Sequence, residues 1–208
     1  MREPQSSEAF IAEHKQILAD NPECATSSYN IGVALMQQGK LDEAIDAFNE
    51  AIGNSGRMFE GFVNLGFIYY KKGNLEKVIE SNQRAIEMEP RYARGYANLG
   101  FAYLQMTKTD EAINALTKAI ELNPEIIQAW NNLANAYLQK GDMDKAIETG
   151  QKLLDLAPTF GLGHNNLASV FYFNGNFQKA IEHVDRAIEL GFEVPPEFLK
   201  RLEPHRQR

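Results

Sequence analysis

An all-α solenoid of stacked helix pairs is the fold class that this sequence predicts, and three observations predict it. The first is a period of thirty-four residues: Gly32, Gly66 and Gly100 recur at that step, and Ala134 and Ala168 continue it. The second is that independent registers keep the same step, with Tyr69, Tyr103, Tyr137 and Phe171 in one and Pro90, Pro124 and Pro158 in another. The third is the spacing inside each period, where apolar residues fall three and four apart, the helical pattern rather than the alternation of a strand. Several registers at one period mark an array of like units, each burying its apolar face against its neighbours.

Residues 1–24 open the array. Phe10, Ile11, Ile17 and Leu18 fall on one side of a helix over 7–20, and Pro22 precedes the repeat prolines by multiples of the period. This segment therefore reads as a second helix without its first, a half unit that caps the open end. Five units follow, over 25–58, 59–92, 93–126, 127–160 and 161–194. In the third, a first helix carries Tyr96, Leu99, Gly100 and Tyr103 on one face, and a second carries Ala112, Leu116, Ala119 and Ile120. Asp42, Glu76, Asp110 and Asp144 stand where second helices begin, where a carboxylate suits the unpaired amides and the positive dipole end. Gly39, Gly73, Gly141 and Gly175 occupy the turn inside a unit, with Thr107 in the same register. The prolines end the second helices and are placed to open the next first helix.

The small residues Gly32, Gly66, Gly100, Ala134 and Ala168 are expected to face the second helix of their own unit and let the two backbones approach. Asn82 and Gly150 fall where the other units carry a large apolar residue, which points to soft second and fourth units. At the end, residues 195–208 form a capping helix begun by Pro195 and Pro196, with Phe198, Leu199 and Leu202 inward. Lys200, Arg201, Arg206 and Arg208 make a wet basic tail.

The run of an aromatic, Leu-Gly or Leu-Ala, Tyr, Ala and a closing Pro resembles the tetratricopeptide repeat. Trp130, Leu133, Ala134 and Tyr137 carry it best, with Tyr96, Leu99, Gly100 and Tyr103 close behind. The resemblance covers residues 25–194. It implies a right-handed superhelical solenoid of five tetratricopeptide helix pairs with capping helices at both ends. It also implies first helices lining a concave groove, second helices forming the outer wall, and a protein-binding role without catalysis.

Composition narrows the function. The chain of 208 residues has a formal net charge of −7, the wrong sign for a general nucleic-acid binder. Its one cysteine, Cys24, can form no disulfide within the chain, which favours a reducing compartment, and a cytoplasmic location is expected. No segment has the apolar length of a membrane span. His14, His164, His183 and His205 share no metal-ligand spacing, and no phosphate loop or nucleophile motif is present. No catalytic residue, metal or cofactor is expected. His164 falls in the register of Tyr96 and Trp130 and reads as a core-lining residue.

Charge singles out a binding wall. The first fourteen positions of the units hold five charged residues in seventy, Glu60, Lys71, Lys72, Arg94 and Lys140. Within that wall Asn30, Asn64, Asn98, Asn132 and Asn166 fill one register of all five units. An amide both donates and accepts, as a peptide bond does. The row resembles the ladder by which some arrays of the family hold the backbone of an extended ligand; the alternative is that each Asn bonds a neighbouring helix.

Tyr29, Val33, Phe67 and Phe101 give the early units an apolar wall, and Asn131, Asn135 and Asn165 give the later ones a polar wall. Of the cationic positions used by the carboxylate clamp of co-chaperones, only Arg94 is filled. The expected function is that of an adaptor holding an extended segment of another protein, as a monomer or with weak self-association. A self-assembling scaffold is the alternative, and light scattering over a concentration series separates the two.

Overall fold

The protein is represented by a computed structural model that describes residues 7–206. It is all-α: twelve helices and no strand among the described residues. A capping helix, α1 (Ser7–Asp20), comes first. The pairs follow as α2 (Ala25–Gln37) with α3 (Leu41–Asn54), α4 (Phe59–Lys71) with α5 (Leu75–Met88), and α6 (Ala93–Gln105) with α7 (Thr109–Leu122). Then come α8 (Ile127–Lys140) with α9 (Met143–Leu156), α10 (Gly161–Phe173) with α11 (Phe177–Glu189), and α12 (Pro196–Arg206). First helices start at Ala25, Phe59, Ala93, Ile127 and Gly161, so the helix starts repeat the period of the sequence. Two compact units divide the chain, Met1–Asn98 and Leu99–Arg208, with the boundary inside α6.

Small residues set how closely paired helices approach. A Cβ placed on Gly32 would lie 2.8 Å from the Phe48 ring, and one on Gly100 would lie 2.3 Å from Leu116 Cγ. Phe48 and Leu116 are fully buried, so the missing Cβ of one helix is the space that the other fills. Gly66 faces Asn82 in the same way, at 2.9 Å. Asn82 is a buried amide, and it is satisfied: Nδ2 donates to the Val78 carbonyl at 2.8 Å, and Oδ1 accepts from Asn98 Nδ2 at 3.1 Å. Gly150 leaves no hole either, because Leu167 of the following unit reaches to 2.9 Å from where its Cβ would be. The two positions singled out as soft are thus filled by a polar bond and by a neighbour's leucine.

A second register of small residues, Gly61, Gly95 and Gly163, packs against the end of the preceding second helix and the turn beyond it. Their absent Cβ atoms would meet Ile52, Tyr92 and Phe160 within 2.5–2.8 Å.

The turns inside the units require left-handed backbone. Gly39, Gly73, Gly141 and Gly175 have φ between 72° and 81°, and Thr107 is held at 57° in the same register. For a residue with a Cβ this conformation costs roughly 1–2 kcal/mol. Thr107→Gly is therefore expected to stabilise the chain by about 1 kcal/mol, less the entropy of the added glycine. Chemical denaturation checks this, and an unchanged midpoint would remove the assigned strain.

Capping differs from the sequence expectation. Asp42, Glu76, Asp110 and Asp144 lie in the first turn, where they still meet the positive dipole end. The capping side chains stand two positions earlier: Asn74, Asp142 and Asn176 accept from the backbone amides of Lys77, Lys145 and Lys179. The prolines also differ. Second helices end at Met88, Leu122 and Leu156, and first helices begin only at Ala93, Ile127 and Gly161, so Pro90, Pro124 and Pro158 sit in the turns between.

At the ends, α1 buries no residue fully; Ile11 and Leu18 pack against the α2–α3 core. α12 buries Leu202 and rests Phe198 and Leu199 on the last core cluster. Arg206 is not simply solvated, since it pairs with Asp185 of α11, and Arg208 lies outside the described residues.

Candidate functional site

The asparagine register is followed within each compact unit. In the first, Asn64 Nδ2 donates to the Tyr29 hydroxyl at 3.2 Å, which ties α4 to α2. Asn30 Nδ2 lies 3.2 Å from His14 Nε2, and His14 Nδ1 lies 3.1 Å from the buried Ser27 Oγ, so α1 is stitched to α2 through both ring nitrogens. Cys24 Sγ lies 3.3 Å from the same Ser27 oxygen, and hydrogen bonds that the Ser27 hydroxyl and amide can donate to the thiolate hold its pKa below the usual thiol value. Asn98 is spent on Asn82, as described.

In the second unit, Asn166 Nδ2 donates to Asn131 Oδ1 at 2.9 Å. Four of the five amides therefore use one N–H on a neighbouring side chain, and each keeps a carbonyl oxygen and a second N–H. Asn132 is half-buried and has no such tether among the described residues.

The remaining expected site residues divide by exposure. Phe67 is 47% exposed on α4, with the Lys71 ammonium 5.0 Å from its ring centroid. Tyr29, Val33 and, in the second unit, Phe101 and Asn135 are half-buried, while Arg94 is exposed. Asn131 and Asn165 lie inside the helix layer rather than on it, at 7% and 9% exposure. Asn165 Oδ1 has no hydrogen-bond partner. Tyr29 also borders a cavity of about 270 Å³ together with Met58 and Glu60.

One polar pair was not expected from the sequence. His164 Nδ1 and His183 Nδ1 approach to 3.0 Å, and His164 Nε2 lies 3.2 Å from the Pro158 carbonyl. A carbonyl only accepts, so Nε2 carries the hydrogen and the bare Nδ1 accepts from His183. Trp130 makes the equivalent bond one unit earlier, Nε1 to the Pro124 carbonyl at 2.8 Å. His164, 9% exposed, thus stands in for an indole N–H, the core-lining role read from its register. No group of three or more metal-ligating side chains gathers among the described residues. None of their helices is long and apolar enough to cross a membrane.

A second cavity, about 340 Å³, opens in the second compact unit between α7, α8 and α9, with Trp130, Tyr137 and Thr149 in its wall. The lysines beside it are already paired, Lys152 with Glu148 at 2.6 Å and Lys145 with Asp142 at 3.2 Å.

A family model described as tetratricopeptide repeat matches residues 11–58 and 97–159, more than half of the chain, and a second, described as TPR repeat, matches residues 66–106. Among solved structures, a crystal structure of MamA protein is 27% identical with a TM-score of 0.76, covering 81% of this chain and 92% of its own. MamA from Desulfovibrio magneticus RS-1, from residue 41 to its end, is 21% identical with the same TM-score, covering 80% and 94%. YrrB, described as a TPR protein with an unusual peptide-binding site, is 19% identical with a TM-score of 0.76, covering 89% and 93%. The last two likenesses show the fold. No curated protein matches the chain.

Proposed function

This chain belongs to the tetratricopeptide repeat family, and from that premise we propose that it is a non-enzymatic adaptor whose first helices hold an extended peptide of a partner protein. The observation that carries the reading is the way the asparagine row is held. A tethered amide is fixed in orientation before any ligand arrives, so less freedom is lost when its free oxygen and second N–H meet a peptide bond. The two readings of the row, ladder and helix tie, are then compatible: the tie aims the rung. Phe67 supports the same reading, because a ring left 47% exposed on a first helix serves the core only in part.

Asn30, Asn64, Asn98, Asn132 and Asn166 would bond the ligand backbone, with Asn135 beside them. Tyr29, Val33, Phe67 and Phe101 would take its apolar side chains, and Arg94 would offer a cation at one first-helix start. Asn131 would act through Asn166, and Asn165 from within the wall. The expected setting is cytoplasmic, without nucleic acid.

Seating an aromatic side chain contributes roughly 1.5–3 kcal/mol, and a neutral hydrogen bond nets only ~0.5–1.5. Phe67→Ala is therefore expected to weaken binding about tenfold or more with little loss of stability. Asn135→Ala should weaken it less, and raising salt should have a mild effect. The measurement is capture of partners from native lysate, then titration of the captured partner's peptide against wild type and both folded variants. A partner held equally by wild type and Phe67→Ala, or released steeply by salt, would overturn the proposal.

A further inference from the structure

The outer face of α4 carries more than a ring and an amide. Glu60, Asn64, Phe67 and Lys71 stand four, three and four residues apart, so they line up along one side of the helix. Glu60 and Lys71 are exposed at its two ends. Among the described residues neither has an ion-pair partner. That is unlike the cations nearby in register: Lys72 is held by Asp42 at 2.6 Å and Lys140 by Asp110 at 2.7 Å. Lys71 instead lies over the Phe67 ring, where its charge and the ring together form one surface. In a wall so poor in charge, a carboxylate at one end, a ring in the middle and an ammonium at the other end make a stripe with a direction.

We infer that this stripe selects the partner peptide by a three-part pattern: a bulky apolar side chain for Phe67, a carboxylate for Lys71 and a cation for Glu60. The inference rests on the reading of the first helices as a peptide-binding wall and specifies the peptide's chemistry. Helix geometry sets the spacing. At 1.5 Å per residue, Phe67 and Lys71 are about 6 Å apart along the axis, and Glu60 and Phe67 about 10 Å. An extended chain advances roughly 3.3–3.6 Å per residue. For a segment lying along α4, the carboxylate falls about two residues from the apolar side chain, and the cation about three residues away on its other side. Asn64, held by Tyr29, lies between Glu60 and Phe67 and meets the backbone there. The occupant is a segment of another protein, chosen by charge complementarity to both ends of the stripe.

The test uses the full chain and a labelled, terminally blocked peptide containing Lys-Gly-Gly-Phe-Gly-Asp, followed by fluorescence anisotropy. Changing the peptide's Asp to Lys is expected to weaken binding about fivefold, and changing its Phe to Ala roughly tenfold. Lys71→Glu should reverse the preference, so that the peptide with Lys in place of Asp binds better. Glu60→Gln should lower affinity for every peptide that keeps the leading Lys. Both side chains are exposed, and a melt by circular dichroism verifies that the variants fold. Equal affinity of the Asp and Lys peptides, or an unchanged preference in Lys71→Glu, overturns the inference while the peptide-binding wall stands. Binding of none of the peptides, with a native partner still lost in Phe67→Ala, overturns the inference alone. Native capture indifferent to Phe67→Ala overturns both.

Discussion

Replacing Gly100 with alanine is expected to destabilise the protein by about 1–3 kcal/mol, although alanine is the better helix former. The added methyl would sit 2.3 Å from Leu116 Cγ and 2.7 Å from Cδ2, and Leu116 is fully buried with no space into which to retreat. One helix of the pair must shift or a rotamer must strain. Leu116→Ala alone leaves a cavity and should cost about 2–5 kcal/mol. The double variant is expected to cost clearly less than the two singles together, because each change supplies what the other lacks. The fourth pair already carries a combination of this kind, Ala134 on α8 in the register of Gly100 and Gly150 on α9 in the register of Leu116. Denaturant melts of the four proteins decide the matter. Strict additivity would mean that Gly100 and Leu116 do not share one packing volume.

That coupling was readable in the sequence in outline. The Gly32, Gly66 and Gly100 register announced close helix pairs, because a small residue recurring at a fixed period on an apolar face has few other uses. The partner in each pair was not readable. Gly150 lacks a large side chain, and only the stacking of units shows that Leu167 reaches across to replace it. Asn82 is similar: its burial depends on an i−4 carbonyl and on Asn98 from the next helix, and that tie joins α5 to α6.

The capping asparagines were missed for a different reason. Asn74 and Asn176 fall in a register that Lys40 and Lys108 also occupy, so no single residue type marked it. Of the candidate site, neither the exposure of Phe67, which Val33, Phe101 and Asn135 of the same register do not share, nor the burial of Asn131 and Asn165 could be read from register alone. Those two stand immediately before the asparagine row, one helical step of about 100° toward the neighbouring helix, and sequence periodicity does not resolve which side of the wall that step reaches.

Acidification is expected to loosen the last helix pair before the others. Burial pushes the pKa of His183 down to about 4, and the neighbouring His164 adds to the effect; Glu182 opposes it and Lys179 reinforces it. The geometry supplies the reason. His183 Nδ1 already carries the hydrogen that it donates to His164, 3.0 Å away, so a further proton would go to its Nε2 and put a full charge on a half-buried ring beside a second imidazole. His183 also stacks on Phe171 at 5.4 Å, and the ammonium of Lys179 lies 5.2 Å from that ring's centroid, so a charged His183 would add a second cation to one aromatic ring.

The unfolded chain takes up the proton near pH 6.5, and the folded chain refuses it until about pH 4. Stability is therefore complete above pH 6.5 and is lost as pH falls from there through 4, because over that window the unfolded state binds more protons. With solvent screening at the half-buried ring allowed for, the loss is about 1–2 kcal/mol. It should be confined to α10 and α11 and the α12 helix that rests on them, since contacts in a repeat array are local. Hydrogen exchange at pH 7 and pH 4.5 is the measurement, with amides of α3 as the internal reference. His183→Phe keeps a ring on Phe171 and removes the titrating group, so it should flatten the pH dependence of α10 and α11. Protection that falls equally in α3 and α11, or a His183→Phe variant as acid-sensitive as wild type, would place the sensitivity elsewhere.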